Sequence, residues 1–174
     1  MKYDEFVARR VVTGYTADGR STVSEDGPTP ARLVGPGNTK CDVWRFDSLP
    51  TTIDSGDGLD VGVVTHPPER GLVHRVVSVP PDDAWDPTVG YGDANGPLAG
   101  SVSADDAGGI PGMHWTPTVD LVTVVSGELV CILEDGEVTL GPGDTMVQNG
   151  TLHAWRNRKD YPAIIVSVMV AGRR

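Results

Sequence analysis

Apolar and polar positions along this chain keep short, strand-like rhythms rather than helical ones. The last third reads as the segments "DLVTVVSG", "ELVCILE", "EVTL", "TMVQ", "HAWRN" and "PAIIVSVMVA", separated by Gly, Asp, Asn or Pro. Strands of this length with turn residues between them predict an antiparallel sandwich or barrel. Upstream, "GLVHRVVSV" predicts a further strand, stopped by Pro80 and Pro81. Asp18-Gly19 and Asp135-Gly136 each predict a hairpin turn, and "CDVWRFDSLP" predicts a short strand closed by Pro50. No stretch predicts a helix of more than two turns. The expectation is one all-β domain, with residues 1–70 as an N-terminal hairpin and strand extension packed on a barrel formed by 71–174.

Two stretches break the rhythm. Residues 51–69 predict a loop. Residues 82–112 are rich in Gly, Asp, Pro and Ala and carry Trp85 and Tyr91. Because two aromatic rings are costly to leave in water, that long segment is expected to act as a lid. The strand "DLVTVVSG" is apolar at both odd and even positions, which predicts cover on both of its faces.

The 174 residues include 24 Asp and Glu against 14 Lys and Arg, a formal charge of −10. That charge argues against nucleic-acid and membrane partners. The 22 glycines and 14 prolines agree with a turn-rich β fold. "MKYDEFVARR" has no apolar core of signal-peptide length, and no run is long enough to span a bilayer, so a cytoplasmic protein is expected. Cys41 and Cys131 form no CxxC pattern; no disulfide is expected, and Cys131 reads as a small buried hydrophobe.

The candidate chemistry lies in "HWTPTVD" and "HAWRN". In an extended chain His114, Thr116 and Asp120 share one face, as do His153, Trp155 and Asn157. A carboxylate inside an apolar run is costly unless it is paired or bound to a cation, which singles out Asp120. Trp155 reads as core, and His66 as a loop residue. Gln148, Trp115 and His74 are candidates for the pocket border, with Thr116, as substrate-binding residues.

The pattern "HWTPTVDLVTVVSG" followed by "PGDTMVQNGTLHAWRN" resembles the two motifs of the cupin superfamily, whose fold is a double-stranded β-helix or jelly-roll barrel. His114 and Thr116 fall at the two histidines of the first motif, Asp120 at its glutamate and Gly127 at its glycine. Gly143, Gly150, His153 and Asn157 match the second. The chain is also similar to small single-domain cupins that accompany biosynthetic or catabolic enzymes. Its departures are informative: Thr116 offers a neutral hydroxyl where imidazole is usual, and Asp120 is one methylene shorter than glutamate. The resemblance leaves two alternatives open. One divalent ion (Fe, Mn, Ni, Zn or Co) is held by His114, Asp120 and His153, or no metal is bound and these side chains act on the substrate directly.

The first functional expectation is a lyase, dehydratase or isomerase working by proton transfer on an enolisable or polyketide-like small molecule, in secondary metabolism or catabolism. His114, Asp120 and His153 are its catalytic candidates. The alternatives are an Fe(II)-dependent dioxygenase and a non-catalytic small-molecule-binding module. Cupins are commonly homodimers, and the doubly apolar strands leave surface to bury, so a homodimer is expected.

Overall fold

The computed structural model describes residues 2–53, 56–86 and 109–173. Most of the expected lid, 87–108, lies outside the described residues. Eleven strands are present among the described residues: β1 (Arg9–Tyr15), β2 (Ser21–Pro28), β3 (Ala31–Val34), β4 (Thr39–Phe46), β5 (Leu72–Val79), β6 (Thr118–Ser126), β7 (Leu129–Leu133), β8 (Gly136–Leu140), β9 (Thr145–Gln148), β10 (His153–Arg156) and β11 (Ala163–Ala171). The strand pairings are antiparallel, in a six-stranded sheet ordered β3-β4-β5-β11-β6-β9, a three-stranded sheet β10-β7-β8 and the separate hairpin β1-β2. This is an all-β jelly roll.

The main core lies where the two larger sheets face each other. Val77 and Val79 of β5, Val122 and Val124 of β6 and Ile165 of β11 pack with Leu129 of β7 and Leu140 of β8. Leu129 and Val124 are fully buried. Burying such a side chain contributes about 1.5–3 kcal/mol, so these inward positions hold the sheets in register. Both cysteines are free and buried, and burial pushes the Cys131 thiol up to about 11.

Turn chemistry explains the joints. Asp18-Gly19 lies in the β1–β2 connection, where the Gly19 amide donates to the Thr16 carbonyl at 2.9 Å. Gly127 sits at φ +80° between β6 and β7, where an added Cβ would come within 2.8 Å of the Ala163 Cα. Both the left-handed backbone and the close approach require glycine there.

The first seventy residues contribute more than a hairpin, because β3 and β4 extend the six-stranded sheet beyond β5. Arg10 of β1 is buried against this layer, paired with Glu25 and with Asp57 at 2.5 Å, its guanidinium 5.8 Å from the Trp44 ring centre.

The expectation that "DLVTVVSG" is covered on both faces does not hold within one chain. The inward residues Val122 and Val124 are buried, but Leu121 and Val125 remain 43% and 53% exposed. Strand alternation forces this split: side chains that do not meet the opposing sheet point outward, and no described element covers that part of the outer face. Among the described residues no helix is long and apolar enough to cross a membrane.

Candidate functional site

A pocket of about 730 Å³, including the space at its mouth that is continuous with solvent, opens between the sheets. Its floor is β11, contributing Ile165, Ser167 and Met169. His114, Thr116, Asp120 and Val122 line one wall, with His153 and Trp155 of β10 beside them. The expected sharing of one face by His114, Thr116 and Asp120 is therefore observed. Gly150, at φ +60°, lets the turn before β10 approach the Thr116 carbonyl, where an added Cβ would lie 3.1 Å from that oxygen.

The two histidines are fastened backbone to backbone. The His114 amide donates to the His153 carbonyl and the His153 amide to the His114 carbonyl, each at 2.9 Å. Their ring centres lie 4.4 Å apart, tilted by 47°. Trp155 stands edge-on to His153 at 5.6 Å.

Each imidazole is oriented by the carbonyl two residues before it. His114 Nδ1 lies 2.9 Å from the Gly112 oxygen, and His153 Nδ1 2.9 Å from the Thr151 oxygen. A carbonyl only accepts, so both Nδ1 atoms carry the proton and both Nε2 atoms keep their lone pair. Gln148 Nε2 also lies 3.0 Å from His153 Nδ1, but its two hydrogens go to the Thr151 carbonyl and hydroxyl. The network thus assigns one tautomer to both rings.

Burial holds these rings neutral. It is the largest cause lowering His114 to about 4; the neighbouring His153 lowers it further, and the Gly112 bond partly offsets the shift. Burial lowers His153 too, opposed by its bond to the Thr151 carbonyl.

Asp120 is shifted the opposite way. It is only 6% exposed, its Oδ1 has no hydrogen-bond partner, and burial raises its carboxyl above the ordinary range. A hydrogen bond from the Thr118 side chain and the charge of Arg75 partly offset that rise. Thr118 Oγ1 in turn lies 2.6 Å from Thr116 Oγ1. Thr118 thus stands between Asp120 and Thr116 in a row that ends in the pocket.

Among the described residues no three His, Cys, Asp or Glu side chains are grouped so as to hold a metal ion. The metal site expected from His114, Asp120 and His153 is not assembled as such. The shorter aspartate engages Thr118, and the position of the missing imidazole holds a hydroxyl already bonded to Thr118. Two imidazoles and a neutral hydroxyl do not fit the three charged or imidazole ligands that a catalytic divalent ion usually takes from protein.

Three other sequence candidates fall outside the pocket lining. His74 alternates with the inward-facing Val73 and Arg75 and pairs with Trp44 and Val168 on the outer side of the sheet. Trp115 lies between the lining residues His114 and Thr116. Gln148 is buried behind His153 and bonded as described. Trp155 packs against the core, as expected, and also lines the pocket. Asn157 holds a turn: its Nδ2 donates to the Val79 and Tyr161 carbonyls, and its Oδ1 accepts from the Lys159 amide.

The sequence reading missed Lys40 and Arg75, which line the pocket from β4 and β5. Only the sheet register shows Arg75 facing inward. It stands in step with Val73, Val77 and Val79 on the buried face of its strand, and an inward arginine needs a partner or a ligand. Its partner is Asp42, with Nε to Oδ1 at 2.9 Å and Nη2 to Oδ2 at 3.2 Å.

Comparison with known proteins agrees with this geometry. The family model "Cupin domain" matches residues 102–169, which bears out the resemblance carried by the two motifs. The chain is 46% identical over 52 residues to the phomopsin biosynthesis cluster protein C' of Diaporthe leptostromiformis, a match covering 29% of this chain and 28% of that protein. It is 50% identical over 48 residues to the oryzines biosynthesis cluster protein J of Aspergillus oryzae, covering 27% of each. The matched part thus spans little more than a quarter of either relative's length. Among solved structures, the ethanolamine utilization protein Q of Salmonella typhimurium, described as putative, aligns over 97% of this chain and 99% of its own at 10% identity, with a TM-score of 0.45.

Proposed function

We propose that this chain is a cupin enzyme of specialised biosynthesis that moves a proton on an enolisable small molecule, as an isomerase, dehydratase or lyase. The observation that carries the reading is the opposed tuning of groups in one pocket: histidines held neutral with Nδ1–H committed to backbone carbonyls, and a carboxyl biased towards its protonated form. Titratable groups pushed apart in this way are suited to act as base and acid at the same pH. The segments matching proteins named for the phomopsin and oryzines biosynthesis clusters support the metabolic setting.

His153 serves as general base through Nε2, since its Nδ1–H is held by the Thr151 carbonyl. His114 accepts a hydrogen bond from the substrate and holds it against His153. In its protonated form Asp120 donates to Thr118, which turns the row round so that Thr118 donates to Thr116 and Thr116 to a carbonyl or leaving hydroxyl. Removal of an α-proton by His153 then leaves an enolate whose charge Thr116 stabilises. Val122, Ile165 and Met169 provide an apolar bed that excludes water. Gln148 positions His153 from behind, while Trp115, between His114 and Thr116, borders the site from outside its lining. Two protomers pair through the exposed outer face of β6, in the cytoplasm.

The test is turnover of enolisable carbonyl compounds by the wild type and by His114→Ala, His153→Ala and Asp120→Asn. Loss of about 10²-fold or more in His153→Ala and Asp120→Asn is expected. Turnover that requires ferrous iron and consumes oxygen would support the dioxygenase instead. Ligand binding without turnover would support a binding module.

A further inference from the structure

The pocket has a second polar end, made of side chains that the acid–base residues do not use. Ser167 stands on the floor strand β11, opposite Arg75 on one side and Val122 on the other, so alternation turns its hydroxyl inward with Ile165 and Met169. Asn38 lines the pocket from the residue before β4, and Thr65 lines it from the connection before β5. None of these three side chains makes a hydrogen bond to a described residue, although Asn38 and Ser167 are each only 7% exposed. Polar groups so withdrawn from bulk water are normally paired, and convergent unpaired ones in a pocket wall are placed to orient a ligand.

Two local devices hold these groups in position. Arg75 Nη2 donates to the Val64 carbonyl at 2.6 Å and to Asp42 Oδ2 at 3.2 Å, and the Val64 amide donates to the same carboxylate oxygen at 3.2 Å. The buried Arg75–Asp42 ion pair therefore clamps Val64, and Thr65 follows it into the lining. At the other side the Asn38 carbonyl accepts from the Gly35 amide at 2.8 Å, which closes the turn between β3 and β4. The Trp85 indole lies over Gly37 in that turn, so near that an added Cβ would come within 2.7 Å of the ring. Asp42 offsets the charge of Arg75, so this pair positions Thr65 without offering the ligand a net cation.

From this arrangement we infer a neutral subsite in which Asn38, Thr65 and Ser167 bind an uncharged amide group of the substrate. The Asn38 side chain presents a carbonyl acceptor beside N–H donors, the complement of another amide, and each hydroxyl donates or accepts as required. A carboxylate has no donor for the Asn38 oxygen, and a single hydroxyl would satisfy fewer of the three side chains. The next inward residue of β11, Met169, is paired with Asp120, so Ser167 lies about 7 Å along the floor from the residue facing the acid–base row. A small molecule spans that distance. The inference rests on the proton-transfer reading for what happens at the far end, while the subsite itself is a matter of binding alone.

Dissociation constants of hexanamide, hexanoate and hexan-1-ol, which share an apolar chain and differ in head group, are measured by NMR titration of the whole protein. The wild type is expected to bind hexanamide about fivefold or more tightly than either of the others. Asn38→Leu is expected to remove that preference. Ser167→Ala and Thr65→Val, which each lose one hydroxyl with little change of shape, are expected to weaken hexanamide about threefold each. If Asn38→Leu does not fold, the two hydroxyl variants decide. Hexanoate or hexan-1-ol binding as tightly as hexanamide, no saturable binding of any probe, or unchanged hexanamide affinity in the folded variants overturns the subsite. His153→Ala separates the two claims, because it is expected to keep the hexanamide preference while losing proton transfer. Proton transfer without that preference would remove the subsite and leave the acid–base reading standing.

Discussion

His114 and His153 hold each other in place: each backbone amide donates to the other's carbonyl at 2.9 Å, and their rings sit 4.4 Å apart. With both Nδ1 protons directed at carbonyls of the preceding turn, the rings present unprotonated Nε2 atoms. Nitrogen-15 NMR of the imidazoles at neutral pH is expected to show Nδ1–H tautomers for both. Replacing Gln148 by Leu leaves the Thr151 carbonyl to the His153 Nδ1–H alone, so the tautomer should persist while the ring becomes more mobile. An Nε2–H signal for either ring in the wild type would break the assignment.

The lowered basicity of His114 makes stability depend on pH with a definite sign. Its folded-state value of about 4 lies below the ordinary 6.5. Between those limits the unfolded chain takes up a proton that the folded one refuses, so this contribution falls as pH drops from 6.5 towards 4 and levels off below. The wild type should lose up to about 3 kcal/mol relative to His114→Gln over that interval. Urea titrations at several pH values measure the difference, and parallel curves for the two proteins would contradict it.

Asp120 is raised, so the linkage runs the other way. Its cost to the fold is absent below the unfolded carboxyl value and fully present above the raised folded one. Asp120→Asn should therefore stabilise the protein by about 1 kcal/mol at pH 8, with the gain vanishing towards pH 4. Thermal melts across that range test this. A destabilised variant at pH 8 would mean that the ionised carboxylate contributes to the fold.

Leu121, Val125 and Val147 lie exposed on the outer face of β6 and β9. Covering them with a second copy accounts for the doubly apolar pattern of the strand. Sedimentation of the wild type at micromolar concentration should give a dimer, and Leu121→Glu/Val125→Glu should give a folded monomer. A wild-type monomer would refute the pairing.

Local sequence rules were enough to mark the strands, their turns and the shared face of His114, Thr116 and Asp120, because alternation and glycine punctuation are properties of adjacent residues. They could not tell which side of "LVHRVVSV" faces inward. His74 drew attention as a histidine, yet Arg75, one residue on, enters the pocket because β4 supplies Asp42 to neutralise it. That pairing spans 33 residues and depends on the sheet register, as does the reach of β3 and β4 into the barrel sheet. The Thr116–Thr118–Asp120 row was latent in the two-residue spacing, but only the fold shows the Thr116 and Thr118 hydroxyls bonded to each other in the pocket wall.

The central claim is that the neutral histidines and the raised aspartate transfer protons with their own side chains. The direct measurement is proton NMR in D2O of enolisable carbonyl compounds incubated with protein purified without an affinity tag and treated with EDTA. The account predicts loss of the α-proton signal at an undiminished rate after chelation, and no loss with His153→Ala. Exchange that disappears on chelation and returns only with added Fe, Mn, Ni, Zn or Co would contradict it.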